Sequence, residues 1–241
     1  MPRINGKSLP KASLLIQSLK SNIPGFATLA LNINKARTNV ILGAKTRSLY
    51  GPGVISDFIG DLRFQISPAS FFQVNPIQTE VLYETVLKFA CLSGEEIIID
   101  AFCGIGTISL FLARRSKHVY GVEIVPDAVS DARHNAKING ITNVSFYNDS
   151  AESWLPGFCR RNNVAPDICV IDPPRKGCGA VLLQAIAELS VRKVIYVSCD
   201  MGTLARDARL LADKGYIVSN LQPVDMFPQT SHVEAVMLLQ R

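Results

Sequence analysis

Acidic residues are almost missing from the first 60 positions, where Asp57 stands alone against Arg3, Lys7, Lys11, Lys20, Lys35, Arg37, Lys45 and Arg47. Eight basic side chains against one acid leave +7 in this segment, whereas the remainder holds 17 basic and 19 acidic residues, or −2. Such an imbalance has two readings: the electrostatic footprint of a phosphate-backbone binder, or a solubilising charged face. Long apolar runs are missing too. Ile97-Ile98-Ile99 and Val191 to Val197 are interrupted by charges far short of the roughly 20 residues that cross a bilayer. Met1 to Leu9 carries Arg3 and Lys7 with no continuous apolar segment or small-residue cleavage site, which excludes a secretory signal in that stretch. The expectation is a cytoplasmic protein without a membrane partner. Also lacking is any clustered cysteine spacing. Cys91, Cys103, Cys159, Cys169, Cys178 and Cys199 never form C-x-x-C or a similar pattern, so no metal or iron-sulfur site is expected within this chain. Five of the six read as buried reduced thiols, and Cys199 is set apart below. Repeats and low-complexity tracts are absent, and a 48% hydrophobic, 19% charged composition suits a globular core.

What is present falls into two parts. Leu14 to Leu19 has the apolar spacing of a short helix, and β-like stretches at Ala27 to Ile33, Asn39 to Gly43 and Leu62 to Ile66 suggest a small antiparallel region. From Ile77 a helical pattern reaches about Leu92, and strand and helix signals then alternate as in an α/β domain. Strands are predicted at Glu96 to Asp100, His118 to Glu123, Val144 to Tyr147, Asp167 to Asp172, Val194 to Ser198, Tyr216 to Leu221 and Val233 to Leu239. Helices fit the stretch after Gly106 to about Arg115, Pro126 to Asn139, Ala180 to Leu189 and Thr203 to Lys214. The last two strands, joined without a helix, should form an antiparallel hairpin. The boundary near residues 70 to 75 gives a basic α+β region over 1–72 and an α/β domain over 73–241.

Ligands of open α/β sheets bind at the carboxyl ends of the strands, and Asp100, Glu123, Asp172 and Cys199 all fall there. The segment Asp100-Ala101-Phe102-Cys103-Gly104-Ile105-Gly106 lets backbone approach a ligand closely, and Glu123 is suited to accept ribose hydroxyls. Nicotinamide-binding domains share such a loop. Here Ser109 stands at the third position of G-x-G-x-x-G, where a pyrophosphate loop wants Gly or Ala, and several carboxylates crowd the site. A cationic sulfonium such as S-adenosylmethionine suits that crowding better than a diphosphate does.

Asp172-Pro173-Pro174 resembles the acid-proline-proline motif of amine methyltransferases, but Arg175 stands where those enzymes carry an aromatic. Val197-Ser198-Cys199-Asp200 instead presents a thiol at a strand end before a helix, whose dipole is expected to lower its pKa. Carbon 5 of uracil is a poor nucleophile. A thiolate adding to carbon 6 makes an enolate whose carbon 5 attacks a methyl donor, and a base must then remove the carbon 5 proton. Glu234 is the candidate base, and alternation puts it on the face of Val236 and Leu238, where desolvation would raise its proton affinity. His232 shares that face and is the rival.

Taken together, Phe71-Phe72-Gln73-Val74-Asn75-Pro76, the Asp100 to Gly106 loop, Gly121-Val122-Glu123, Asp172-Pro173-Pro174-Arg175-Lys176-Gly177, Val197-Ser198-Cys199 and Phe227 to Glu234 resemble the RNA uracil-5 methyltransferases. The resemblance runs from about Leu14 to the end. It implies a Rossmann-like class I methyltransferase α/β sheet with a C-terminal antiparallel hairpin, and S-adenosylmethionine as cofactor. It further implies that Gln73, Phe102, Gly104, Glu123 and Asp172 line the cofactor site, that Cys199 is the nucleophile and that Glu234 is the base. Met226 to Glu234 looks more like the members acting on large-subunit ribosomal RNA than those acting on transfer RNA. The family's oligonucleotide-binding barrel and cysteine-rich segment have no counterpart here, so residues 1–72 resemble the remnant of a central RNA-binding domain, and an upstream RNA-binding domain is expected to be missing from this chain. Asp200 replaces the family's usual Asn, and a carboxylate turned toward the thiol would disfavour the thiolate. Two rival readings remain: a catalytically weak RNA- or cofactor-binding module, and an amine methyltransferase resting on Asp172-Pro173-Pro174 alone.

Overall fold

The computed structural model describes residues 3–4, 8–35, 42–43 and 45–241. The expected strand at Asn39 to Gly43 lies mostly outside these residues, as do the side chains of Arg3, Lys7 and Arg37.

Three layers build the main body. A seven-stranded sheet of order β11-β12-β10-β9-β6-β7-β8 is formed by β6 (Ile97–Ala101), β7 (His118–Glu123), β8 (Val144–Asn148), β9 (Ile168–Ile171), β10 (Lys193–Ser198), β11 (Ile217–Val224) and β12 (Glu234–Gln240). β6 to β10 are mutually parallel, and β12 inserts antiparallel between β10 and β11. The C-terminal hairpin is therefore as expected. Strands buried on both faces need no alternation, which explains the unbroken Ile97-Ile98-Ile99.

One face is covered by α2 (Pro76–Ala90), α3 (Thr107–Ala113) and α4 (Pro126–Ile138), through Leu82, Tyr83, Val86, Leu110, Leu112, Val129 and Ala132. The other is covered by α5 (Ala151–Asn162), α6 (Ala180–Glu188) and α7 (Met201–Ala212), through Trp154, Leu155, Leu182, Leu183, Leu204 and Leu211. Each fully buried Leu, Val or Ile contributes about 1.5–3 kcal/mol. Local signals set the helix limits. Asn75 caps α2 by accepting from the Gln78 N–H at 3.3 Å, with Pro76 in the first turn. Gly140, at φ +67°, follows α4.

Before this body lie β1 (Arg3–Ile4), α1 (Ala12–Asn22), β2 (Leu29–Ile33), β3 (Lys45–Tyr50), β4 (Ile55–Ile59) and β5 (Leu62–Ile66). They form two small sheets, β1-β2-β3 and the β4-β5 hairpin, and β1 runs parallel to β2. Ile59, Leu62, Phe64 and Ile66 of the hairpin join the same hydrophobic core as α2 and α4.

Candidate active site

Topology gathers the chemistry on one edge. The chain runs β6, β7, β8 to one side and returns to β9 on the other, so the crevice outside β6 and β9 is the switch point where ligands bind. Asp100 lies near the end of β6 and Phe102 directly follows it, Glu123 ends β7, and Asp172 and Cys199 follow β9 and β10. β12 runs the other way, so its first residue, Glu234, arrives at the same edge. Antiparallel pairing of β10 with β12 ends at Ser198 and Ala235, so Cys199 and Glu234 are the next residue on each strand, and the Glu234 charge acts on the thiol.

The β6–α3 turn is built to bring backbone close to a ligand. Phe102, Gly104 and Gly106 all have left-handed φ, +67°, +54° and +83°. A Cβ on Gly106 would lie 2.8 Å from the Phe146 ring, so only glycine fits there. The amides of Phe102 and Cys103 both donate to the Val122 carbonyl, at 3.0 and 3.1 Å. Glu123 braces the turn: its carboxylate accepts from Gly104 N–H at 3.2 Å and Val125 N–H at 2.8 Å. Those two bonds leave lone pairs on the carboxylate for a ligand hydroxyl.

Burial raises two of the carboxylates here. Burial, opposed by a 2.5 Å hydrogen bond from Ser109 and reinforced by Glu123, pushes Asp100 up to about 7. Desolvation, then Glu234 and Asp100, push Asp172 up to about 8. Among the described residues, the buried Asp100 Oδ1 and Gln73 Oε1 have no hydrogen-bond partner. An orphaned buried acceptor on Asp100, with the charge of Asp100 acting on Asp172 at the same edge of the sheet, suits a ligand with a cationic, hydrogen-bond-donating end. Tyr83, whose hydroxyl donates to Thr107 Oγ at 2.8 Å, feels the charges of Asp172, Asp100 and Glu234 and so backs the same edge.

Around Cys199 the structure corrects two expectations. Its thiol is raised, not lowered: half-burial and the Glu234 charge push it up, Asp172 adds to this, and the hydrogen-bonded Arg175 guanidinium pulls it back. Asp200 does not turn on the thiol. It is the N-cap of α7, accepting from the Thr203 N–H at 2.9 Å, and its carboxyl is held below the usual range chiefly by that bond. Consequently α7 starts at Met201, two residues before the expected Thr203.

Glu234 is 5% exposed, on the face of Val236 and Leu238 as expected; burial raises its pKa and Arg175 opposes the rise. His232 is exposed, its ring against Phe227 at 6.4 Å. Arg175 is the site residue that the sequence reading passed over. Its signal was there, a cation directly after Asp172-Pro173-Pro174, but it registered only as a missing aromatic. Its loop is clamped to α7. Thr203 Oγ donates to the Arg175 carbonyl at 3.2 Å, Arg206 to the Lys176 carbonyl at 3.0 Å, and Cys178 N–H to the buried Asp207 at 2.7 Å. Cys103, Cys159, Cys169 and Cys178 are buried, with burial raising each thiol. Cys91 is the exception to the buried set: it is exposed at the left-handed C-cap of α2.

Residues 59–241 match the family model of the tRNA (uracil-5-)-methyltransferases. The chain belongs to this RNA uracil-5 methyltransferase family. An uncharacterized RNA methyltransferase of Halalkalibacterium halodurans is 52% identical over 235 residues, covering 98% of this chain and 51% of the relative. One of Clostridium acetobutylicum is 49% identical over 237 residues, with 98% and 51% covered. The chain thus spans about half the length of the relatives it matches. Among solved structures, the Pyrococcus abyssi tRNA (uracil-54, C5)-methyltransferase in complex with S-adenosyl-L-homocysteine superposes with a TM-score of 0.77 at 28% identity, over 98% of this chain and 54% of that one. Membership accounts for the Rossmann-like sheet with its antiparallel β12. No helix among the described residues is long and apolar enough to cross a membrane.

Proposed function

We propose that this chain methylates carbon 5 of a uridine in RNA through a covalent adduct on Cys199. The observation carrying this reading is the register that brings Cys199 and Glu234 to the same edge, with Arg175 acting on both, beside raised acids. Gln73, Phe102, Gly104, Glu123 and Asp172 would hold S-adenosylmethionine, which supplies an electrophilic methyl group when bound. The orphaned acceptors and the acidic lining suit its ammonium and sulfonium.

Cys199 first gives up its proton to solvent, the resulting thiolate pair bonds to carbon 6, and the carbon 5–carbon 6 π pair moves onto the carbonyl as an enolate. Carbon 5 takes the methyl, Glu234 accepts the carbon 5 proton, and the electrons of that C–H bond reform the double bond as sulfur leaves. Arg175 steadies the sulfur's negative charge at the start and end of this cycle, offsetting Glu234 and Asp172. Because carbon 5 is unreachable in a stacked base, the uridine is flipped out to reach the edge. Lys11, Lys20, Lys35, Lys45 and Arg47, all exposed, supply the phosphate-backbone contact.

Large-subunit ribosomal RNA is the proposed substrate, on the sequence of Met226 to Glu234. Transfer RNA is the second reading, favoured by the substrate named for the Pyrococcus relative. Nucleoside mass analysis of both RNA pools, from cells with and without this protein, tests the proposal. Loss of 5-methyluridine from ribosomal RNA supports the first reading, and loss from transfer RNA the second. Unchanged 5-methyluridine in both pools contradicts the activity.

A further inference from the structure

Helix α4 and its C-cap carry Asp131, Asn135 and Asn139 four residues apart, and each bonds the backbone of an alternate residue along β5 and just beyond it. Asn139 accepts from Arg63 N–H at 2.9 Å and donates to the Arg63 carbonyl at 2.7 Å. Asn135 does the same for Gln65, at 2.7 and 3.2 Å. Asp131 accepts from Ser67 N–H at 2.9 Å. β5 thus pairs with β4 along one edge and with a helix acting as a strand along the other. The periods permit it. Four helical residues rise about 6.0 Å and two strand residues about 6.8 Å, so three rungs fit with a slip of less than about 2 Å.

Two rungs carry further bonds, one to the glycine turn and one to the segment leading to Gln73, and the third does not. Asn135, fully buried, also donates to the Ile105 carbonyl of the glycine turn at 3.1 Å. On Asp131 the same oxygen that holds Ser67 also accepts from Ser70 Oγ at 2.9 Å. The Ser67–Ser70 turn is closed by Ser70 N–H donating to the Ser67 carbonyl at 3.1 Å. Three residues on from Ser70 comes Gln73, whose buried Oε1 is orphaned, and Phe72 between them packs on Phe64. Among the described residues, the Asn139 side chain hydrogen-bonds Arg63 and the end of its own helix.

We propose that Asp131 is a positioning residue for the cofactor pocket, holding the Ser67–Ser70 turn so that Gln73 is aimed at the ligand. The inference rests on the reading of Gln73 as a cofactor contact. Calorimetric titration of the 241-residue chain with S-adenosylhomocysteine tests both together. D131A is expected to weaken binding about tenfold. D131N, which keeps an oxygen acceptor, should restore it, and N139A should lower the melting temperature as D131A does while leaving binding intact. On a Q73A background, D131A should add little further loss. If Q73A weakens binding and D131A does not, the positioning role is overturned while the Gln73 reading stands. Unchanged binding in Q73A overturns the Gln73 reading, and the positioning role with it. Equal weakening in D131A and N139A would make Asp131 a mere structural rung.

Discussion

Cys199 and Glu234 each come directly next to the last paired rung of β10 and β12, Ser198 with Ala235, and the Glu234 charge acts on the Cys199 thiol. Backbone pairing carries the two chains to within one residue of each group, so the register of β10 and β12 brings the proposed nucleophile and the proposed base to the same edge. This arrangement needs β12 to run against its neighbours, since only then does a strand start meet the carboxyl ends of the others.

On the proposed mechanism, replacing Glu234 by Gln leaves addition and methyl transfer possible but removes the proposed proton acceptor. Ordinary RNA should then accumulate as a methylated adduct resistant to denaturing electrophoresis, with turnover reduced about 10²–10⁴-fold. Normal turnover in this variant, with loss in H232A, would transfer the role to His232.

Arg175 is the cation that offsets Glu234 and Asp172 at the thiol. Removing it in R175A takes away a lowering influence, so the Cys199 pKa should rise. The pH profile of iodoacetamide alkylation should shift to higher pH and the rate at pH 7 fall. An unshifted profile would deny Arg175 that role.

Asp200 should matter for the helix and not for the chemistry. D200A is expected to cost about 1 kcal/mol of stability through the lost cap, while D200N, still able to accept from Thr203, should melt as the native protein does. Neither should move the alkylation profile of Cys199. A shift in D200N alone would restore the view that the carboxylate acts on the thiol.

Asp100 and Asp172 set a pH dependence. Their folded pKa values, about 7 and about 8, lie above the ordinary aspartate value of 3.8, so between these limits the folded state binds more protons than the unfolded one. Stability therefore falls as pH rises from about 4 to 8. A cationic ligand favours the ionised acids, so the melting temperature should fall less steeply with S-adenosylmethionine present. Parallel slopes with and without it, measured by thermal denaturation, would place the ligand away from these acids.

Much of this was legible in the sequence, because the relevant signals are local. Strand ends after apolar runs located Asp100, Glu123, Asp172 and Cys199, and Pro126 with Gly140 bounded α4. Helix α5 was not predicted, since Pro156 and Gly157 argue against a helix, yet burial of Trp154, Leu155 and Phe158 on one face overrides that propensity. β3 and β4 were missed because both are largely exposed and lack a clear apolar alternation. The capping spacing of Asp200 and Thr203 was in plain view but was read as a charge problem. The raised Cys199 thiol was not accessible locally, as Glu234 and Arg175 reach it only through β-pairing and a loop clamped by α7. The Asp131 ladder likewise joins residues more than 60 positions apart.

The covalent role of Cys199 is tested most directly with 5-fluorouridine-substituted RNA, because fluorine cannot leave as a proton and the methylated adduct cannot collapse. Incubation with S-adenosylmethionine followed by denaturing electrophoresis and intact mass analysis should show the protein joined to RNA in the native chain and not in C199A. A native chain that forms no adduct while still producing 5-methyluridine, or a C199A chain that forms one, would contradict the account.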